Sequence, residues 1–334
     1  MRQGISMLYG IAVFLRNRWY DWGLSVRTVG IPVISVGNIT VGGTGKTPMV
    51  IAIAELLQRS GQQCAIVSRG YGRRSQGLVV VSDGKGMVAS LDNAGDELAL
   101  IAERLPQAIV IAAADRHAGA TAAWKQFGAT VVVLDDGFQH RRLHRNLDIV
   151  MVDAATVDTA NSLIPLGTLR EPRSSLRRAQ LLCAVDVDPN ALMPLVGDGA
   201  MVIRAIRQLR RWRTLHGEPT IPPTGTVTIA CAIARPEQFI RLVQQVSGVK
   251  IGEVMVWPDH HWYTTDDVQM LIARTHAVAA LSVVTTEKDA VKLRQYAPEL
   301  EAAGIRVAVA RLSLVFPEPD RSRLIEQLAK VTSQ

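Results

Sequence analysis

Short apolar runs alternate with segments of helical period along most of this chain. The runs at 31–36, 63–67, 108–112, 130–134, 147–152 and 180–184 are rich in Val, Ile and Leu and read as buried strands. Helical patterns lie between them at 46–59, 95–104 and 117–126. This alternation predicts an α/β fold with a mainly parallel sheet flanked by helices. From 204 the character changes. RAIRQLRRWRTLHG carries five arginines and EPTIPPTG three prolines, which reads as a connection between domains. A second α/β pattern follows: strand 226–232, helix 236–246, strand 250–256, helix 265–275, strand 281–286. The alternating segment 305–316 is expected to return to the connection as an antiparallel partner. The organisation expected is therefore a helical region at 1–29, a first domain at 30–203, a linker at 204–222, a smaller α/β domain at 223–304, and a return strand with a C-terminal helix at 305–334.

At the N-terminus, Ile5, Leu8, Ile11, Ala12, Leu15 and Trp19 recur at helical spacing, and Arg16, Arg18, Trp19, Tyr20 and Trp22 form an aromatic and basic edge. The apolar run falls short of the roughly 20 residues that span a bilayer. The RNRWYDWGLSVR that follows offers no small-residue cleavage site for a secretory signal. Two readings stay open for this helix: it lies in a membrane interface, or it packs on its own domain.

Composition narrows the picture. With 334 residues, 48% of them hydrophobic, the chain has ample core for two domains. Its net charge of +7 favours anionic partners without choosing among them. Cys64, Cys183 and Cys231 form no CxxC and read as buried thiols of a reducing compartment. Aromatic residues make up only 5%, and no nucleic-acid module with stacking aromatics is present.

The strongest chemical signal follows the first strand. Thr40, Val41, Gly42, Gly43, Thr44, Gly45, Lys46 and Thr47 match the phosphate loop G-x-x-x-x-G-K-[ST] except at its first position, where Thr40 stands for glycine. Glycines let backbone N–H groups close around phosphate oxygens. In such a loop Lys46 bridges phosphates and Thr47 holds Mg²⁺. VVVLDD at 131–136 supplies the acidic partner, with Asp135 and Asp136 at a strand's C-terminal end, followed by Phe138, Gln139 and His140. The base-recognition pattern N-K-x-D is missing, which favours ATP over GTP. The arginines at 170–178 and 204–213 form either a solvated basic face or a surface for phosphate and acidic headgroups.

Six further strings now count together: SRGYGR (68–73), AGDELAL (94–100), LDDGFQHRRLHRNLDIVMVD (134–153), PLGTLREP (165–172), PDHHWY (258–263) and TTEKDAVKL (285–293). With VGGTGKTP they resemble the lipid A 4′-kinases, also called tetraacyldisaccharide 4′-kinases, in order and spacing from near residue 5 to about 316. The resemblance implies a P-loop NTPase-like fold with a second, smaller α/β domain joined by a two-stranded linker. It implies ATP-dependent phosphorylation of the 4′-hydroxyl of a tetraacylated glucosamine disaccharide 1-phosphate. The implied partners are that lipid and the cytoplasmic face of the inner membrane, bound peripherally, with no nucleic acid and no obligate protein partner. It also tips the N-terminal helix towards the membrane interface.

The resemblance implies roles residue by residue. Lys46 and Thr47 serve phosphate and Mg²⁺, Asp135 the metal, and Asp136 catalysis. Asp96 is the implied base and His260 its paired histidine. Tyr71, Arg116, Arg170 and Glu171 lie near substrate, and Gln139 near nucleotide. An Asp96–His260 dyad drawn from two domains is therefore expected. One departure stands out: ACAIARPEQF (230–239) lacks the glycine the family often carries there, with an altered strand-to-helix turn as the expected consequence. The rivals are a P-loop kinase or GTPase acting on a soluble metabolite, and a non-enzymatic, ATP-gated binding switch.

Overall fold

The computed structural model describes residues 2–333, which divide into two compact units: 2–206 with 314–333, and 207–313. In unit 1, helix α1 (Arg2–Asp21) precedes β1 (Val33–Gly37), α2 (Lys46–Arg59), β2 (Cys64–Ser68) and β3 (Val79–Asp83). Then come α3 (Leu91–Ala94), α4 (Asp96–Arg104), β4 (Ile109–Ala112), α5 (Arg116–Phe127), β5 (Val131–Asp135), β6 (Leu147–Val152), α6 (Ala154–Val157), β7 (Leu181–Val185) and β8 (Met201–Arg213). The C-terminal helix Asp320–Thr332 also belongs to this unit.

The sheet runs β3-β4-β2-β5-β1-β6-β7-β8. All pairs are parallel except β3 with β4. Alternate strand residues feed opposite faces, as a period of two demands. Ile34, Val36, Ile66, Val110 and Val133 join α2, α4 and the C-terminal helix on one face, while Val33, Ala65, Val67, Ile111 and Val132 join α5 on the other. Burial on both faces explains why these strands read as continuous apolar runs. β1 sits centrally, so the loop after it opens at the sheet's C-terminal edge, where strands on its two sides diverge in chain order.

One strand lies outside the sequence expectation. β3 is an antiparallel edge strand on the apolar run at 78–81, which stands outside the strands expected. The arginine-rich stretch from 204, expected as the connection between domains, is the second part of β8, a strand of 13 residues in which Ile203, Ala205 and Arg207 are buried in alternation. Charge concealed the alternation, since Arg207 occupies an inward position.

Unit 2 contains β9 (Pro219–Thr220), β10 (Gly225–Cys231), α7 (Pro236–Gln244), β11 (Val249–Val256), α8 (Thr265–Ala277), β12 (Ser282–Thr286), α9 (Glu287–Leu293), α10 (Ala297–Ala302) and β13 (Arg306–Val315). β11, β10, β12 and β13 pair in parallel in that order. The chain passes between the units along β8 and β13, which are neighbours in the sheet order. None of residues 230–235 has positive φ. The turn from β10 to α7 therefore needs no glycine, and Ala232 and Ala234 are accommodated without strain. α7 starts with Pro236 in its first turn, where a missing N–H costs nothing.

Helix α1 docks on unit 1 through its less apolar side. Ser6 and Val13 are buried, and the Ser6 hydroxyl donates to the Leu163 carbonyl at 3.0 Å. Ile5, Leu8, Ile11, Leu15 and Trp19, the stripe seen in sequence, face outward with Met7 and Phe14. Among the described residues, no helix is long and apolar enough to cross a membrane. All three cysteines are buried and none forms a disulfide.

Candidate active site around the phosphate loop

The site grows from the ends of β1 and β5. Their register sets Val36 beside Asp135, and Gly137 N–H donates back to the Val36 carbonyl at 2.9 Å. The two chains then approach too closely for side chains: a Cβ on Gly37 would lie 2.5 Å from that of Phe138. This contact delivers Asp135, Asp136 and Gln139 to the rim of the loop after β1.

That loop bends at Gly42 (φ 101°) and Gly45 (φ 90°), conformations that favour glycine. Thr40 has no positive φ and needs no glycine. It is fully buried, accepts from Asn38 Nδ2 at 3.1 Å, and bridges Leu169 in antiparallel fashion. The departure at the first glycine position is thus absorbed by a different bend. Val41 N–H donates to the Thr168 carbonyl at 2.8 Å, which backs the loop against the 161–173 segment. A Cβ on Gly43 would meet nothing within 4 Å, so this side of the loop is open. Gly45 caps α2 with no side-chain hydrogen bond, leaving first-turn N–H groups to the loop's mouth. Among the described residues, the buried Thr44 hydroxyl has no hydrogen-bond partner.

Lys46 is held by Asn38 Oδ1 at 3.2 Å and Asp136 Oδ1 at 3.4 Å. Arg170 donates to Asp136 Oδ2 at 2.8 Å. Burial by itself would raise the Asp136 pKa, but the charges of Lys46 and Arg170 outweigh it and hold the carboxyl below the usual range. Asp136 therefore stays ionised between two cations. Its φ of 53° marks a left-handed turn that aims it away from the strand. Asp135 is buried and accepts from the Ser68 hydroxyl at 3.3 Å. Gln139 donates to the Asn38 carbonyl at 2.8 Å.

Arg116, buried at the start of α5, donates to the Ala113 carbonyl at 2.9 Å and feels the charges of Asp135 and Asp136. His140 lies near it, and burial together with the Arg116 charge pushes its pKa down to about 4. Asp96 is buried at the first position of α4, behind Gly95. A Cβ on Gly95 would lie 2.9 Å from the Tyr71 carbonyl, so the loop carrying Tyr71 packs on the start of α4. Tyr71 itself is exposed.

Glu171 is placed differently. Its side chain is 0% exposed and turned towards α1, where it meets Arg16 at 3.2 Å and Asn17 at 2.9 Å, with Arg178 at 2.9 Å. Arg173 donates to the carbonyls of Thr156, Asp158 and Asn161. Two arginines of the 170–178 cluster thus bind inward, not to solvent. His260 belongs to unit 2, in the loop after β11. Asn38 was missed in sequence; a buried polar residue directly after an apolar strand was the available signal.

For a metal, no group of three or more His, Cys, Asp or Glu among the described residues forms a cage. The Thr47 hydroxyl and the Asp135 carboxylate are a sparse oxygen set of the kind that suits Mg²⁺ when phosphates complete its shell.

A sequence profile described as tetraacyldisaccharide-1-P 4′-kinase (LpxK) matches residues 3–332. The chain belongs to this 4′-kinase family. The tetraacyldisaccharide 4′-kinase of Chlorobaculum tepidum is 38% identical over 335 residues, covering 96% of this chain and 94% of the relative. That of Geobacter metallireducens is 38% identical, covering 94% of each. The crystal structure of the "apo" form of LpxK from Aquifex aeolicus, in complex with ATP, superposes with a TM-score of 0.79 at 29% identity, over 99% of this chain and 98% of that one. A large, mostly parallel sheet flanked by helices is common to the 4′-kinase fold and to this chain.

Proposed function

We propose that the polar edge of unit 1 carries out the reaction of its family: ATP-dependent phosphorylation of the 4′-hydroxyl of a tetraacylated glucosamine disaccharide 1-phosphate, in lipid A biosynthesis. The observation that carries this reading is the placement of Lys46, fixed between Asn38 and Asp136 at the mouth of a loop with uncapped helix N–H groups. Phosphoryl transfer asks the protein for alignment and charge neutralisation more than covalent work. Loop N–H groups and Lys46 take up charge around the transferred group. Mg²⁺ bound by Thr47 and Asp135 would add a Lewis acid there. Asp136 keeps Lys46 and Arg170 in place, and Arg116 adds positive charge beside the carboxylates.

Asp96 orients the sugar hydroxyl and accepts its proton. A free aspartate, with pKa near 3.9, is a weak base at neutral pH. His260 is the group the family resemblance assigns to support it. Tyr71 and Arg170 meet the lipid acceptor and Gln139 the nucleotide. Glu171 serves the same site through α1 and the backbone next to Arg170. The outward apolar face of α1 lies in the cytoplasmic leaflet of the inner membrane, because acyl chains leave a bilayer only at a cost of about 0.8 kcal/mol per CH₂.

A lipid-phosphorylation assay on Lys46→Ala and Asp96→Ala tests the assignment. Both should lose nearly all turnover with unchanged melting. Wild-type rates from folded Asp96→Ala would remove Asp96 from the chemistry.

A further inference from the structure

Unit 2 holds a buried charge pair that phosphoryl transfer leaves unexplained. The side chains of Asp289 and Lys292 are 0% exposed, with Oδ1 and Nζ 3.5 Å apart. Removing two charges from water costs several kcal/mol per ion, and well-packed apolar residues often replace such pairs without loss. A purely structural reason for the pair is therefore weak. The second oxygen of Asp289 does something more specific. Oδ2 accepts from the Thr286 hydroxyl at 2.6 Å and from the backbone N–H of Ala232 at 3.1 Å.

Ala232 is the first residue beyond β10, and its carbonyl accepts the N–H of His260 at 3.3 Å. His260 has φ 63°, a left-handed conformation that a residue with a Cβ adopts only when its surroundings impose it. The flanking chain is fixed on both sides. Trp257 N–H donates to the Cys231 carbonyl at 3.0 Å, and Trp257 Nε1 and His261 Nε2 meet the Asp267 carboxylate at 2.8 and 2.9 Å. Asp267 fixes the loop around His260, and the Ala232 peptide ties His260's own backbone to the end of β10.

We propose that Asp289 is a positioning residue for His260, acting through the Ala232 peptide. Its carboxylate sets that peptide, the peptide carbonyl holds the strained His260 backbone, and the imidazole is thereby aimed for phosphoryl transfer. Lys292 fixes the far oxygen of the carboxylate. Its ammonium lies 5.8 Å from the centre of the buried Tyr263 ring. The strings TTEKDAVKL and PDHHWY thus meet in one device, the first carrying the brace and the second its load. The proposal rests on the role given to His260 above.

The test is a kinetic cycle on the full chain with the acylated disaccharide in mixed micelles. Asp289→Ala/Lys292→Met removes both charges together, so no lone buried ion remains. Thr286→Val loosens Asp289 while leaving its pair with Lys292 intact. Each is measured alone and combined with His260→Ala. Both should lower kcat about tenfold, since small misplacements of this kind cost up to 10²-fold, with KM for ATP and lipid unchanged. In the His260→Ala background neither should lower kcat further. Losses that multiply in that background overturn the proposal and leave His260's role standing. Wild-type turnover from His260→Ala removes that role and the proposal with it. Should the double replacement fail to fold, Thr286→Val decides: normal melting with wild-type kcat overturns the proposal.

Discussion

Replacing Glu171 with glutamine asks what holds α1 to the catalytic unit. The carboxylate is fully buried and receives Arg178 at 2.9 Å, Asn17 at 2.9 Å and Arg16 at 3.2 Å. Burial alone would raise its pKa, but Arg178, Asn17 and Arg16 prevail and hold it below the ordinary range. Glutamine keeps the volume and removes the charge. Arg178, 20% exposed, then loses its counter-ion. Breaking a buried pair costs about 3–5 kcal/mol. Arg16 is 38% exposed and keeps much of its hydration, and Arg178 still lies 4.6 Å from the Phe138 ring centre. The lower bound, about 3 kcal/mol, is therefore the appropriate figure. In a unit of this size each kcal/mol moves the melting midpoint by about 2–4 °C, so a fall of about 6–12 °C at neutral pH is expected. The sign with pH follows from a folded pKa lying below the unfolded one. The stabilisation is complete above the ordinary glutamate value of 4.5 and is lost as pH falls through the folded value. The gap between wild type and variant, read by calorimetry, should therefore close in acid. Trypsin should also cut faster after Arg16 and Arg18. An unchanged midpoint at neutral pH, or a gap that persists undiminished at low pH, would refute the reasoning.

Gly95→Ala should reduce stability by about 1–3 kcal/mol and lower turnover, because φ 77° with ψ 156° is a conformation almost confined to glycine. Urea melts equal to wild type would contradict this. Phe14→Glu with Leu15→Glu should weaken sedimentation with anionic vesicles while leaving melting unchanged, since both side chains are exposed; equal sedimentation counts against an interfacial α1. The His140 imidazole should show no NMR titration from about pH 5 to 8, since its pKa is pushed down to about 4. Protonation then favours the unfolded chain, so His140 makes stability fall as pH drops from about 6.5 towards 4. A titration centred near 6.5 would refute its burial beside Arg116.

How far the sequence revealed the fold depended on where each element sits. The central strands are buried on both faces, so their apolar runs stood out to within about two residues. β3 lies on the short apolar run at 78–81 at the sheet edge, and its antiparallel pairing was not legible from that run. β8 alternates correctly, but buried Arg207 and the exposed Arg210 and Arg211 disguised it as a polar connection. The phosphate loop was legible because glycine spacing is a backbone requirement, written directly in residue type. The partners of Asn38 and the inward role of Glu171 were not legible. A buried polar side chain is specified by its partners across the fold, here Lys46 eight positions away and Arg16 at a separation of 155.

The position of α1 has a consequence for how such a site is built. A helix with apolar residues at Met7, Leu8, Ile11, Phe14 and Leu15 would ordinarily turn them inward. Here the inward face is Ser6, Tyr9, Val13 and Asn17, and its contacts are specific hydrogen bonds more than apolar area. Tyr9 donates to the Arg170 carbonyl at 2.8 Å, Arg170 to Asp136 at 2.8 Å, and Asp136 in turn faces Lys46 at 3.4 Å. Through the backbone and side chain of Arg170, polar contacts therefore link the docked side of α1 to Lys46. Hydrogen bonds fix orientation more tightly than apolar contact does, because they weaken steeply with angle. The helix that turns its greasy side outward is thus held in register with Arg170 and Lys46, and its apolar face is left uncovered without loosening these contacts.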